Sequence, residues 1–276
     1  MAMKDSYKTA GEVYFKKLAK DNPNEFRRFR RIAADDSIVV EGTYDKTQDV
    51  LDVMKVNYRL LDSEDLRRVD LPLDRPIFVN CAGNLSPSDI ICLRSHVDHG
   101  GTLVTTDWAL RNLIEQAFPG YVEYNGRSTK DDVVAVELTK AGHALLRGSV
   151  SLNDRPRWWL EGSSYPIRVL DQAKVQILIR SDQMKNKYGE GAIVVRFPFG
   201  KGMIYHMVSH IYLQRTEERS AWQRQVAGEF VKAKGIELSD FAIKDDQTVG
   251  EMEAAYLSIG LLAHILRDAS NRLKAA

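Results

Sequence analysis

Between Ser37 and Ile114, short apolar runs alternate with amphipathic stretches. Ser37–Glu41 reads as a buried strand, followed by the turn Gly42-Thr43-Tyr44-Asp45 and a helix carrying Val50, Leu51, Val53 and Met54. Tyr58–Leu61 is a second strand and Pro76–Asn80 a third; Ser86-Pro87-Ser88-Asp89 then supplies the N-cap and first turn of a helix running from Ile90 to about Asp98. That helix stops at His99-Gly100-Gly101, a glycine C-terminus. Strands alternating with helices predict a parallel sheet covered by helices on both faces. The last unit, GGTLVTTDWALRNLI, is a strand through Leu103-Val104, a tight turn, and a helix through Leu110, Leu113 and Ile114. Such a turn at the carboxyl end of a sheet often presents a nucleophile. Here its apex is Asp107.

Residues 6 to 34 read as two helices separated at Asn22-Pro23-Asn24. From about Tyr121 the pattern changes to strands: Val133–Leu138, Val175–Ile179 and Ala192–Phe197, with Gly200-Lys201-Gly202 making a hairpin into Met203–Val208. Pro156-Arg157-Trp158-Trp159 leads into a turn-rich patch. Ser220–Lys234 and Val249–Leu273 read as helices, the latter apolar around much of its circumference and therefore expected to be buried against the domain or a partner subunit. Three segments follow: an N-terminal helical appendage over 1–36, an α/β domain over 37–215, and C-terminal helices over 216–276.

The 276 residues are 44% hydrophobic and 28% charged, the balance of a globular chain large enough for one α/β domain with appendages. A net charge of +1 gives no overall attraction to nucleic acid or anionic membrane. The one basic run, Arg27–Arg31, reads as a solvated helix face. Two cysteines, Cys81 and Cys92, do not make a disulfide framework. The charged start lacks a signal-peptide core, and no apolar run approaches the ~20 residues of a membrane span. A cytoplasmic setting is the default expectation.

The order of strand, helix, IFVNCAGN, a helix ending in HVDHGG, then TLVTTDWAL and a late GKGMIYHMVSH strand resembles the class I glutamine amidotransferase-like fold, and most closely its divergent ThuA-like branches. The resemblance covers roughly residues 37 to 212. It implies a flavodoxin-like parallel sheet sandwiched by helices, here with added N- and C-terminal helices. In amidotransferases of this fold, a Gly-x-Cys-x-Gly elbow carries the nucleophile and a His-Pro-Glu segment supplies the base and its orienting acid. The elbow falls on Thr105–Ala109, with Asp107 in place of cysteine, and the histidine falls on His210, with no Pro or Glu after it. Carboxylate is a far poorer nucleophile than thiolate, and no glycines flank the apex, which argues against glutaminase chemistry. Cys81 lies in a segment that, by the resemblance, lines the pocket; as a buried small apolar residue it needs no catalytic role.

Other residues keep two readings each. Asp107 is a pocket carboxylate facing His210, or the N-cap of the helix that follows. His206 and His210, four apart, would share one face of a strand, where histidines more often pack than react. Cys92, His96 and His99 have helical spacing suited to a metal, but also form an ordinary polar flank at a helix end, and no metal or cofactor is assigned. Trp108, Trp158, Trp159 and Tyr165 could wall a pocket or serve as core. The expected pocket lies at the carboxyl ends of the strands and comprises Thr43, Asn80, Cys81, Gly83, Asn84 and Trp108, with Asp107 and His210 as candidate catalytic groups. The leading expectation is a member of the fold without amidotransferase activity, acting as a ligand-binding or protein-interaction module. The alternatives are a hydrolase in which Asp107 and His210 activate water, and a scaffold subunit of a larger complex. An unidentified small molecule or protein is the expected partner, with a homodimer also open and no membrane or nucleic acid.

Overall fold

Runs of Val, Ile and Phe with no polar alternation suit strands covered on both faces. The computed structural model describes residues 2–146 and 156–275. Strands β1 (Ser37–Val40), β3 (Pro76–Val79) and β4 (Thr102–Thr106) are buried along their whole lengths, whereas β2 (Tyr58–Leu61), at the edge, is only partly covered. The later strands are β5 (Val122–Tyr124), β6 (Asp132–Ala135), β7 (Glu137–Leu138), β8 (Arg157–Leu160), β9 (Ile167–Val169), β10 (Gln176–Arg180), β11 (Ala192–Phe199) and β12 (Gly202–Met207).

The main sheet runs β2-β1-β3-β4-β12-β11-β10-β7. Its first five strands are parallel, and β11, β10 and β7 extend it antiparallel. Strand order thus reverses between β1 and β3, the crevice position at which open α/β sheets bind ligands. The architecture is α/β with a mostly parallel central sheet flanked by helices, consistent with the flavodoxin-like expectation. The expected Val133–Leu138 strand divides: β6 pairs with β8 in a separate two-stranded sheet, while β7 joins the main one. The Pro156–Trp159 stretch, expected to lead into turns, supplies β8.

Helices α1 (Ala2–Asp21), α2 (Pro23–Ala33), α3 (Thr47–Met54) and α4 (Pro87–Asp98) are followed by a π-helical turn over Leu110–Ile114 and the short α5 (Glu115–Ala117). Then come α6 (Lys140–Leu145), α7 (Asp182–Tyr188), α8 (Ala227–Ala233) and α9 (Val249–Ala275). Ser86 caps α4 by accepting from the Asp89 N–H, with Pro87 in the first turn. At the other end Gly101 leaves room for the His96 ring, which a Cβ would meet at 2.0 Å. The Ser220–Lys234 helix is confined to α8, because the segment before it returns through turns that bond Gln223 and Gln225 to the start of α9.

The two terminal helices close on each other and on the sheet domain. Tyr7, on α1, donates its hydroxyl to the Ile211 carbonyl and accepts from the Leu213 N–H. Ser258, on α9, reaches the same Ile211 carbonyl, and Ser6 donates to Glu251. By length and composition alone, Val249–Arg272 would be long and apolar enough to cross a membrane, contrary to the expectation from sequence; nearly all of it is buried inside the molecule.

Candidate functional site

The carboxyl ends of β1, β3 and β4 and the chain leaving β12 converge on one polar cluster. Asp107 follows β4 with φ of 49°, a left-handed conformation that non-glycine residues seldom adopt and Asp tolerates better than most. The elbow shape is therefore present without flanking glycines. Its carboxylate does not cap the following helix: Oδ2 accepts from the Ser164 hydroxyl at 3.0 Å and Oδ1 from the Tyr165 N–H at 3.2 Å. The Asp107 carbonyl accepts from the Leu110 N–H, as the turn into the π-helical segment requires.

His210 lies past the end of β12, so it does not share a strand face with His206. His206, on β12, is fully buried and its Nδ1 meets the Thr105 hydroxyl at 2.8 Å; burial pushes its pKa down to about 3. His210 instead faces acids. Its Nδ1 is 2.6 Å from Glu161 Oε2, and its Nε2 is 3.7 Å from Asp107 Oδ2. Neither ring nitrogen makes an aligned hydrogen bond, so these contacts are electrostatic. The carboxylate nearest His210 Nδ1 is that of Glu161, just past the end of β8.

Cys81 completes the group. Its N–H donates to Thr106 Oγ1, and one donor atom from each of Cys81, Asp107 and His210 lies within 4.8 Å of the others. All three residues are buried. Asp45, from the turn after β1, is buried nearby with its Oδ2 lacking a hydrogen-bond partner.

Burial governs the protonation of these groups. It raises the Asp107 carboxyl to about 7 despite the favourable charge of His210, and it raises Asp45 and the Cys81 thiol as well. Burial also opposes a charge on His210, but the Asp45 anion, the Cys81 contact and Glu161 outweigh it and hold its pKa far above the ordinary value. A histidine kept protonated by its surroundings donates protons or balances charge; it is poorly suited to act as a general base.

Above this cluster, a cleft of about 710 Å³ opens at the strand-order reversal. Thr43, Gly83 and Asn84 from the expected pocket line it, together with Glu41, Gly42, Asp62, Ser63, Glu64, Asp65, Arg68 and Ala82. Asn80 and Cys81 are buried and do not line it; Asn80 accepts from the Thr47 N–H and donates to Gln48. Gly42 packs on them so closely that a Cβ would meet the Cys81 carbonyl oxygen at 2.2 Å. Asn112, from the segment after the elbow, donates to the Ala82 carbonyl and to Asn84, tying the elbow to the lip of the cleft.

Trp108 stands outside this lining, in an aromatic ladder: edge-on to Tyr44, stacked on Tyr165, which in turn stacks on Tyr124. Trp158 and Trp159 belong to β8, with Trp158 donating to Ser209 and Trp159 to Asp131. Cys92, His96 and His99 do not converge: His96 is buried beneath Gly101 with its pKa lowered by burial to about 4, while His99 Nδ1 turns back to the Ser95 carbonyl. Asp45, Glu161, Ser164 and Asn112 are the site residues that pattern reading missed. Asp45 and Glu161 both sit in stretches read only as turns, where acidic residues are common and carry no positional signal.

No protein-family profile and no curated protein matches the sequence. Among solved structures, a putative GMP synthase subunit from Thermoplasma acidophilum is similar in fold, with a TM-score of 0.50 at 11% identity, covering 87% of this chain and 98% of that one. An exo-β-1,4-mannosidase from Opitutaceae bacterium strain TAV5 matches at a TM-score of 0.43 and 14% identity over 68% of this chain and 34% of its own. A β-galactosidase from Rahnella sp. R3 matches at 0.42 and 13% over 64% and 29%. The chain thus spans about a third or less of the glycosidases it matches.

Proposed function

We propose that the chain is a divergent, ThuA-like member of the amidotransferase-like fold that binds a small polar ligand in the cleft between β1 and β3 and does not hydrolyse glutamine. The observation that carries this reading is the position of the cleft, at the strand-order reversal, with backbone from Gly42 and Gly83 and polar side chains from Thr43, Ser63 and Asn84 around it. Its charge narrows the ligand. Glu41, Asp62, Glu64 and Asp65 face a single cation, Arg68, which Asp65 already pairs at 2.8 Å. Phosphate and carboxylate ligands would meet repulsion there, so amine-bearing or hydroxyl-rich molecules are favoured.

The absence of cysteine at the elbow supports the second half of the reading. Cys81 is close to His210 but buried, with burial raising its thiol pKa, and it does not line the cleft. Purified protein should release no ammonia from glutamine.

The test is a thermal-shift and calorimetric screen of polyamines, amino acids, neutral sugars and nucleotides. A cationic or polyhydroxyl compound at one hundred times its Kd should stabilise the fold by about 2.7 kcal/mol. Glu41→Gln and Asn84→Ala should weaken that binding at least tenfold while leaving the unliganded melting temperature within about 2 °C. A panel that binds nothing, or a ligand bound equally well by both variants, refutes the cleft as the site.

A further inference from the structure

The spacing within the buried cluster is informative in itself. His210 Nε2 and Asp107 Oδ2 are 3.7 Å apart, beyond hydrogen-bond range although both are buried and polar. Two ligands on one tetrahedral zinc ion, each about 2.0–2.3 Å from the metal, stand roughly 3.3–3.7 Å from each other. The Cys81 sulfur lies within 4.8 Å of a donor atom of each of the other two residues, so a small rotation closes the third edge. Among the described residues this is the one group of histidine, cysteine and acidic side chains whose donor atoms converge in this way.

The surroundings have the features of an outer shell. Metal-bound histidine usually presents its other nitrogen to a carboxylate, and Glu161 is 2.6 Å from His210 Nδ1. Metal-bound carboxylates are themselves hydrogen-bonded, and Asp107 accepts from Ser164 and the Tyr165 N–H. His210 Nε2 is buried without a hydrogen-bond partner, as is Asp45 Oδ2. A divalent cation bound here would also sit among three carboxyl groups, those of Asp45, Asp107 and Glu161, grouped around one imidazole.

From this geometry we infer that Cys81, Asp107 and His210 form a zinc site, with Glu161 orienting His210 from behind. A thiolate, an imidazole and a carboxylate together are a donor set that suits zinc better than magnesium or calcium, which favour oxygen alone. Binding displaces to solvent the thiol proton of Cys81, the Nε2 proton of His210 and the proton of that fraction of Asp107 that carries one, and the three protein ligands leave a fourth position on the ion. The inference goes beyond the cleft ligand and does not depend on it.

The test uses the full chain, stripped with a chelator and titrated with Zn²⁺ against a chromophoric competitor, with metal content measured by mass spectrometry. The expected result is one zinc per chain and a raised melting temperature. Co²⁺ in place of Zn²⁺ should give a thiolate-to-metal charge-transfer band in the near ultraviolet. Cys81→Ala should abolish that band, and Cys92→Ala should leave it intact. Glu161→Gln, a change at a half-exposed residue, should keep the fold and weaken zinc binding 10–100-fold. Less than about a tenth of an equivalent of bound zinc, a band that survives Cys81→Ala, or wild-type affinity in Glu161→Gln would each overturn the assignment, and none of these would bear on ligand binding in the cleft.

Discussion

Replacing His206 with Asn should change how stability depends on pH by an amount the structure fixes. His206 is fully buried on β12, with Nδ1 against Thr105 and Nε2 without a hydrogen-bond partner. Burial lowers its pKa from 6.5 to about 3, so the unfolded chain takes up a proton at a pH where the folded one does not. The sign follows: His206 leaves stability intact above pH 6.5 and removes it as pH falls from 6.5 towards 3. At about 1.36 kcal/mol per pH unit, the loss at pH 5.0 is about 2 kcal/mol. Asn keeps a polar atom near the Nδ1 position but cannot ionise, and the smaller side chain leaves a cavity that costs roughly 1–3 kcal/mol at any pH. Urea denaturation of both proteins at pH 7.5 and 5.0 separates the two effects. The variant should be less stable at pH 7.5, and that deficit should shrink by about 2 kcal/mol at pH 5.0. The comparison is a difference between two proteins, so the opposing contributions of Asp107 and the other buried acids cancel. A deficit that is the same at both pH values would show that His206 titrates normally in the fold, and the burial argument would fail.

Two further substitutions test how the site is held. Gly42→Ala puts a Cβ 2.2 Å from the Cys81 carbonyl oxygen and 2.6 Å from Asn80 Cβ, contacts that only backbone movement relieves; it should cost about 1–3 kcal/mol in urea denaturation and weaken cleft binding, whereas wild-type behaviour in both would mean the two strand ends are not packed as described. Tyr7→Phe leaves the buried Leu213 N–H without its acceptor and should cost roughly 1–3 kcal/mol, with the melting temperature as readout; a loss below about 0.5 kcal/mol would show that α1 does not brace the segment carrying His210.

Local patterning was enough to find the framework of this molecule. The buried runs at Ser37–Val40, Pro76–Val79 and Thr102–Thr106, the Ser86 cap, the glycine stop at Gly100-Gly101 and the Gly200-Lys201 hairpin all follow from interactions between residues near one another in the chain. Thr43, Gly83 and Asn84 could be placed at a cleft because ligand crevices form at the carboxyl ends of parallel strands. Where apolar and polar residues do not alternate cleanly, local pattern misleads: the elbow helix is a π-turn, and the Ser220–Lys234 helix shrinks to seven residues.

The chemistry of the buried cluster was decided by tertiary structure alone. Cys81, Asp107, Glu161 and His210 come from four separate segments, and no periodicity links residues that meet only after the sheet has closed. Asp107 illustrates the difference. By sequence its carboxylate has two readings, an N-cap or a pocket group facing His210, and the positive φ decides between them by turning it towards Ser164, Tyr165 and His210. Sequence specifies which groups are present and which local elements they favour; the distances that couple the charges of those groups exist only once long-range packing has removed them from water.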